Sequence, residues 1–347
     1  MNLDAKRQNA LQAPERPRDA VGGRHAAQRR ANVAVAANGA EQHREIDETR
    51  INHHSSLPVR SLMDDTTTKD REALPVTSAS VDVKEFLGIE RVSETTWRFL
   101  VTERLITPGK FLFGGCGLAS GIVALEEASE RPTIYAAAHY LSFAQLGSEV
   151  LVRVDLAVVG GRVTQGRATT YVDDREILTV NAALGTGQLT SPTPWLRMPD
   201  VPAPEECPAR VMPQRFDNSI FNHLETRVAL GRAFDELDAT PGSPVSALWA
   251  RVPSHLEPSA ATLAIFGDLV SGGASQPLGR TTMGRSLDNT IRVAWLVPTE
   301  WVLIEIHMHA LAGGFAQGTG YLWSRDGTLL GTASQSMSSK FWEPPNS

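Results

Sequence analysis

Two polar side chains have the character and setting that hydrolytic chemistry needs. Asp288 lies in Ser-Leu-Asp-Asn-Thr and Gln335 in Ala-Ser-Gln-Ser-Met, both near apolar, strand-like residues (Leu287 and Ile291; Leu329 and Leu330). A carboxylate in such surroundings needs a partner or a cleft, because burying it alone is costly. It can take a proton from water, and a carboxamide can fix that water's orientation. The plainer role for an Asp here is a turn residue that caps its own backbone. A second candidate is Phe113-Gly114-Gly115-Cys116-Gly117. It leads into a helix whose free N–H groups, with little side-chain bulk around them, suit a carbonyl oxygen that gains negative charge. Gly114, Gly115, Cys116 and Gly117 are therefore the expected substrate-binding residues, although glycine there equally suits close packing of helix on sheet. Cys116 has the position of an activated thiol, against the usual fate of a free cysteine as a small buried residue. His307-x-His309 puts two imidazoles on one strand face, but two histidines do not complete a metal site, and no metal is expected. The segment Gly284-Arg285-Ser286-Leu287-Asp288 misses the Gly-x-Ser-x-Gly nucleophile elbow at its last position. The sequence has no phosphate loop, no dinucleotide fingerprint and no His-Glu-x-x-His.

The elements that must position these residues come in two copies. Residues 146–180 can be laid on 297–333, with Gly160-Gly161 on Gly313-Gly314, Gln165-Gly166 on Gln317-Gly318 and Asp174 on Asp326. An ordered run of such matches reads as a duplicated unit. Each copy opens with strand signals, Thr96–Thr102 in the first and Leu224–Leu230 then Ala247–Val252 in the second. One apolar helix follows, about Gly115 to Glu130 in the first copy and about Pro258 to Ser271 in the second, where Gly272-Gly273 suits a stop. Three or four strands rich in Val, Ile, Thr and Tyr complete each copy, with turns at 173–175 and 325–327. One helix followed by a long antiparallel meander is an α+β unit, here a hot dog. Two in one chain predict a double hot dog, two helix-on-antiparallel-sheet repeats forming one extended sheet. In this alignment Asp288 stands opposite Ala137 and Gln335 opposite Ala183, so the second copy alone is polar at both positions.

Composition bounds the rest. The chain has 347 residues, 33 Lys and Arg, 39 Asp and Glu, and a net charge of -6. A pI near 5.9 argues against nucleic-acid binding by bulk electrostatics. No stretch is apolar and long enough to span a membrane. The two cysteines, Cys116 and Cys207, are too few for a disulfide framework. With no apolar signal-like segment near the N-terminus, a cytoplasmic location is expected. All 7 Trp, 4 Tyr and 11 Phe lie in residues 86–347. Residues 1–80 therefore lack the apolar material to offset ordering entropy and are expected to be disordered. A start codon assigned too early, with Met63 opening the stretch before the globular part, is the preferred reading of that head. Seven prolines between 188 and 215 predict an extended linker between domains at 86–187 and 216–340.

Residues 286–337 resemble the C-terminal hot dog of the bacterial acyl-CoA thioesterase II family, through Asp288 in Asp-x-(Ser/Thr), Trp301, Gly318-x-Gly320, Asp326-Gly327 and Ala333-x-Gln335. Phe113-Gly114-Gly115 and the small-residue helix after it resemble that family's N-terminal hot dog. The resemblance implies a site of Asp, Thr and Gln that holds the attacking water. Asp288 and Gln335 take two places, and the Thr place falls on His309, or on Met308 if the strand slips by one. His309 would then bring a pH-sensitive group. The implied activity is hydrolysis of a fatty or other acyl-CoA, without cofactor, and self-association follows by analogy with the family. Two other functions fit the same fold. A hydratase or dehydratase wants an Asp/His pair at the start of a helix, and only Asp268 lies within either helix. A non-catalytic acyl-CoA or acyl-chain binding protein is favoured by the missing Thr.

Overall fold

The computed structural model describes residues 82–188, 193–253 and 256–342. The expectations for residues 1–80, Met63 included, lie outside them.

The described chain forms one antiparallel sheet of thirteen strands with its helices on one face. A short helix α1 (Val83–Leu87) leads into β1 (Glu90–Ser93) and β2 (Thr96–Leu100). Helix α2 (Gly114–Ser129) follows, then β3 (Thr133–Tyr140), β4 (Glu149–Val159), β5 (Val163–Val172) and β6 (Arg175–Gly185). The second copy opens with β7 (Glu225–Leu230) and β8 (Val245–Arg251), then helix α3 (Ala260–Gly267). A 3-10 segment, Asp268–Ala274, runs on into α4 (Ser275–Leu278). The remaining strands are β9 (Thr282–Ser286), β10 (Asp288–Val293), β11 (Val302–Ala312), β12 (Phe315–Ser324) and β13 (Leu329–Phe341). The strand order is β1-β2-β4-β5-β6-β3-β10-β13-β12-β11-β8-β7, with β9 on β13. Each copy thus contributes one half, and β3 against β10 joins them, from Asp288 opposite His139 to Arg292 opposite Tyr135.

The helices form where the periodicity places them. In α2, Leu118, Ile122 and Leu125 are all buried against β3–β6. In α3, Ser259 caps the first turn, its side chain accepting from the N–H of Thr262. Gly272-Gly273 does not end the second helical run, as the sequence suggested. A Cβ on Gly273 would lie 2.5 Å from Ile306 Cγ2, so glycine there permits close packing. The stop comes at Gly279, left-handed at φ 63°. One apolar core runs through both halves, from Phe86 to Met337.

The proline-rich stretch is less featureless than expected. Its described part contains 3-10 turns at Pro204–Glu206 and Gln214–Phe216, and Ala209 bridges Arg227. Met198, Val201 and Cys207 pack on a cluster of Trp249, Trp301 and Trp323, and Trp249 Nε1 donates to Pro202 O at 2.9 Å.

Candidate active site

Strand Thr282–Val293 is interrupted once. In β9, Ser286 faces Met337, whereas in β10 Thr290 faces Ser334 and Ile291 faces Ala333. Continuing the second register puts Asn289 level with Gln335, so Leu287 and Asp288 together stand against Ser336. This is a β-bulge, and it shifts the alternation of faces by one residue. Ser286 and Asn289 consequently share the helix face with Gln335. Residues three apart on an unbroken strand would face opposite ways.

On that face Gln335 Nε2 donates to Asp268 Oδ1 at 2.5 Å and to Ser286 Oγ at 2.7 Å. Ser286 Oγ lies 3.4 Å from Asp268 Oδ1. The other carboxylate oxygen, Oδ2, accepts from the backbone N–H of Gly115 at 2.8 Å. Helix α2 has no capping side chain of its own, because Phe113 occupies its N-cap. Asp268 supplies the cap from the other half of the molecule, where the positive end of the helix dipole favours a carboxylate. Asp268 and Gln335 are 3% and 2% exposed, and Gln335 Oε1 has no hydrogen-bond partner. Burial pushes the Asp268 carboxyl above its ordinary value, and the bonds from Gly115, Gln335 and Ser286 hold it back part of the way. Beside it, Tyr140 Oη donates to Gly114 O at 2.9 Å. Burial, and then the charge on Asp268, push the Tyr140 phenol well above its usual range.

Of the residues singled out from the sequence, Gln335 lies in this cluster and Asp288 and His309 do not. Asp288 sits in the bulge, where its Oδ1 accepts from the N–H of Ser336 at 2.7 Å, a ladder donor that the bulge leaves over. It serves the backbone. His309 is exposed in a bulge of β11, where the register with β12 shifts between Met308 and Ala310. One whole strand, β12, separates it from Gln335: Gln335 faces Gly318, which faces Met308. His307 pairs with Glu305 at 2.7 Å. The glycine-led helix end is occupied by the protein itself. The N–H of Gly115 holds Asp268, and those of Cys116 and Gly117 both point to Phe113 O. A Cβ on Gly115 would lie 2.7 Å from Ala264 O, so the packing role of these glycines is fully in use. Cys116 is buried, and burial, with the Asp268 charge adding to it, pushes its thiol well above the usual range, the reverse of activation.

Sequence reasoning missed Ser286, Asn289 and Tyr140, and it placed Asp268 behind Asp288, as the next candidate to activate the water. A signal for Ser286 was present, since a hydroxyl residue two positions before Asp288 lies inside the stretch that carries the resemblance.

Two helix-bearing repeats joined into one sheet, with an Asp-Ser-Gln cluster where they meet, define a double hot dog. The profile of the acyl-CoA thioesterase C-terminal domain matches residues 204–338. A crystal structure from Novosphingobium aromaticivorans, assigned as a thioesterase, is 30% identical, with a TM-score of 0.66, over 72% of this chain and 97% of that one. The chain belongs to the acyl-CoA thioesterase family. The same fold recurs in the tesB protein of Mycobacterium avium subsp. paratuberculosis, 18% identical over 74% of this chain and 98% of that one, TM-score 0.61. It recurs again in acyl-CoA thioesterase II TesB2 of Mycobacterium marinum, 19% identical over 76% and 100%, TM-score 0.59. No curated protein sequence matches significantly. No helix among the described residues is long and apolar enough to cross a membrane.

Proposed function

We propose that the chain hydrolyses the thioester of a fatty or related acyl-CoA, a reaction of lipid metabolism, with a water held by Asp268, Ser286 and Gln335. The observation that carries this reading is the convergence on Gln335: Nε2 spans Asp268 and Ser286 at 2.5 and 2.7 Å, and Oε1 is buried without a partner. A buried carboxamide oxygen with no donor is a place for a water. Ser286 has the hydroxyl that the family resemblance asks of a Thr. Asp268 takes the role first read for Asp288, and Ser286 that read for His309. The missing hydroxyl that favoured a non-catalytic binding protein is thereby supplied.

The chemistry follows from the groups. Water gives one proton to the Asp268 carboxylate and directs the other to Gln335 Oε1, while its oxygen attacks the thioester carbonyl. The new C–O bond forms as the carbonyl π pair moves onto oxygen. When the carbonyl re-forms, the C–S bond breaks, and the departing thiolate takes the proton from Asp268. Burial that raises the carboxyl also makes it a stronger base. Fixing the water with Ser286 and Gln335 removes part of the entropic barrier.

Following free thiol with a panel of acyl-CoAs tests the reading. Asp268→Asn is expected to lower kcat by about 10²–10⁴-fold with a far smaller change in KM. Asp288→Asn is expected to keep kcat within about tenfold of wild type, since it touches only the ladder. The opposite pattern, with Asp268→Asn active and Asp288→Asn dead, would overturn the assignment.

A further inference from the structure

One polar side chain in the cluster has no part in the steps above. Asn289 is 0% exposed, and neither Oδ1 nor Nδ2 has a hydrogen-bond partner. Native interiors leave few polar groups orphaned in this way. Its direction is fixed by its neighbours. Ile291 and Ala333 both reach the position of Gly267 in α3. Two residues before Ile291 and two after Ala333 on the antiparallel partner, Asn289 and Gln335 therefore face the helices side by side. Asn289 also stands opposite Ala138 of β3, which is buried. Its amide lies near the Tyr140 hydroxyl and favours the phenolate form, yet falls short of hydrogen-bonding geometry.

The reaction needs such a donor. As water attacks, negative charge collects on the carbonyl oxygen, and N–H groups already in place stabilise it. Three of the four donors expected from the sequence are taken: Gly115 N–H is bound to Asp268, and Cys116 and Gly117 N–H to Phe113 O. Asn289 Nδ2 carries two N–H groups that nothing occupies.

We propose that Asn289 is the oxyanion donor, its Nδ2 hydrogen-bonding the thioester carbonyl oxygen while Gln335 on the adjacent strand holds the water. This rests on the thioesterase reading. The donor gives up no proton: charge builds on the carbonyl oxygen during attack and leaves it when the C–S bond breaks. The bulge at Leu287–Asp288 acquires a purpose, because that single extra residue turns Ser286 and Asn289 to the same face, one to the water and one to the carbonyl.

Asn289→Leu keeps the bulk and removes the donor, and Asn289→Ala is the smaller alternative should the first misfold. In either folded variant kcat for acyl-CoA is expected to fall by about 10²–10³-fold while KM changes less than about threefold. A second measurement reads the hydrogen bond itself. In the Asp268→Asn chain loaded with an acyl-CoA labelled with ¹³C at its carbonyl, the C=O stretch is expected below its value in water. Adding Asn289→Leu, or Asn289→Ala, should return it toward that value. A kcat within about threefold of wild type, or a carbonyl stretch that ignores residue 289, overturns the proposal. If wild type turns over, Asp268→Asn does not and the Asn289 variants do, only the oxyanion assignment falls. A wild-type chain that hydrolyses no acyl-CoA overturns both readings.

Discussion

In the proposed mechanism Asp268 decides what the site does at a given pH. Burial raises its carboxyl, and three donors oppose that shift. As a base it works only when ionised, so kcat/KM is expected to fall as pH drops through the raised value, above the range of an exposed aspartate. Gln335→Ala or Ser286→Ala removes a bond that holds the carboxyl down, so the acid limb of the profile should move to higher pH in both variants. A limb that stays in place would mean that another group titrates. The same burial costs stability. A carboxyl raised in the folded state is penalised only in its ionised form, so the penalty is absent below the unfolded value of about 3.9 and complete above the folded one. Asp268→Asn should therefore raise Tm at neutral pH, with a gain that vanishes toward about pH 4. Lost activity with gained stability marks a residue kept for function. Little of this was legible in the sequence. Gln335 stood out because its repeat partner is alanine, whereas Asp268 ends a run of apolar helix residues and carries no local sign of the donors that meet it.

At the scale of elements, one extra residue in one strand separates the sequence reading from the structure. Alternation alone would aim Asp288 with Ser286, two residues apart, toward the same face. The bulge breaks that parity, sending Asp288 to the Ser336 N–H and Asn289 inward. A bulge leaves no mark in composition or period, and the resemblance that singled out Asp288 does not say which way its side chain turns. The ladder also corrects the repeat alignment. Gly166 faces Ala182 as Gly318 faces Gln335, so Gln335 corresponds to Ala182, one place from the Ala183 of the sequence alignment. The helices and most strands were readable because apolar spacing and turn residues are local signals, as Leu118, Ile122 and Leu125 show in α2. Glycine on α2 sets how closely the two helices approach. Gly115→Ala places its methyl 2.7 Å from Ala264 O, a backbone atom that cannot step aside. The helices must part, and the bond that holds Asp268 goes with them. Overpacking of this kind costs about 1–3 kcal/mol, against about 1 kcal/mol gained in helix propensity. Denaturant unfolding should show a net loss and kcat should fall, while Gly161→Ala, with open space around it, should change neither.

At the scale of the molecule, the site belongs to neither half alone. Asp268, Ser286 and Gln335 come from the second copy, and the N–H that caps Asp268 comes from the first. The halves share the β3–β10 ladder, the packing of α2 on α3 and a single apolar core. Cutting the chain after residue 188, before the segment that docks on Trp249, Trp301 and Trp323, leaves that segment with the second half. Each fragment alone then presents an open edge, β3 in one and β10 in the other, beside apolar helix surface that the partner had covered. Neither should hydrolyse acyl-CoA. Each should aggregate or pair with itself in size-exclusion chromatography, because another copy is the nearest substitute for the missing half. Mixed during refolding, the two should form one complex, and activity should return with it, since the cut breaks no ladder and no contact of the site. A first fragment that unfolds cooperatively as a monodisperse monomer would mean that the shared core contributes little to its stability. The second fragment hydrolysing acyl-CoA unaided would mean that the Gly115 cap is dispensable and that the base is held by its own half.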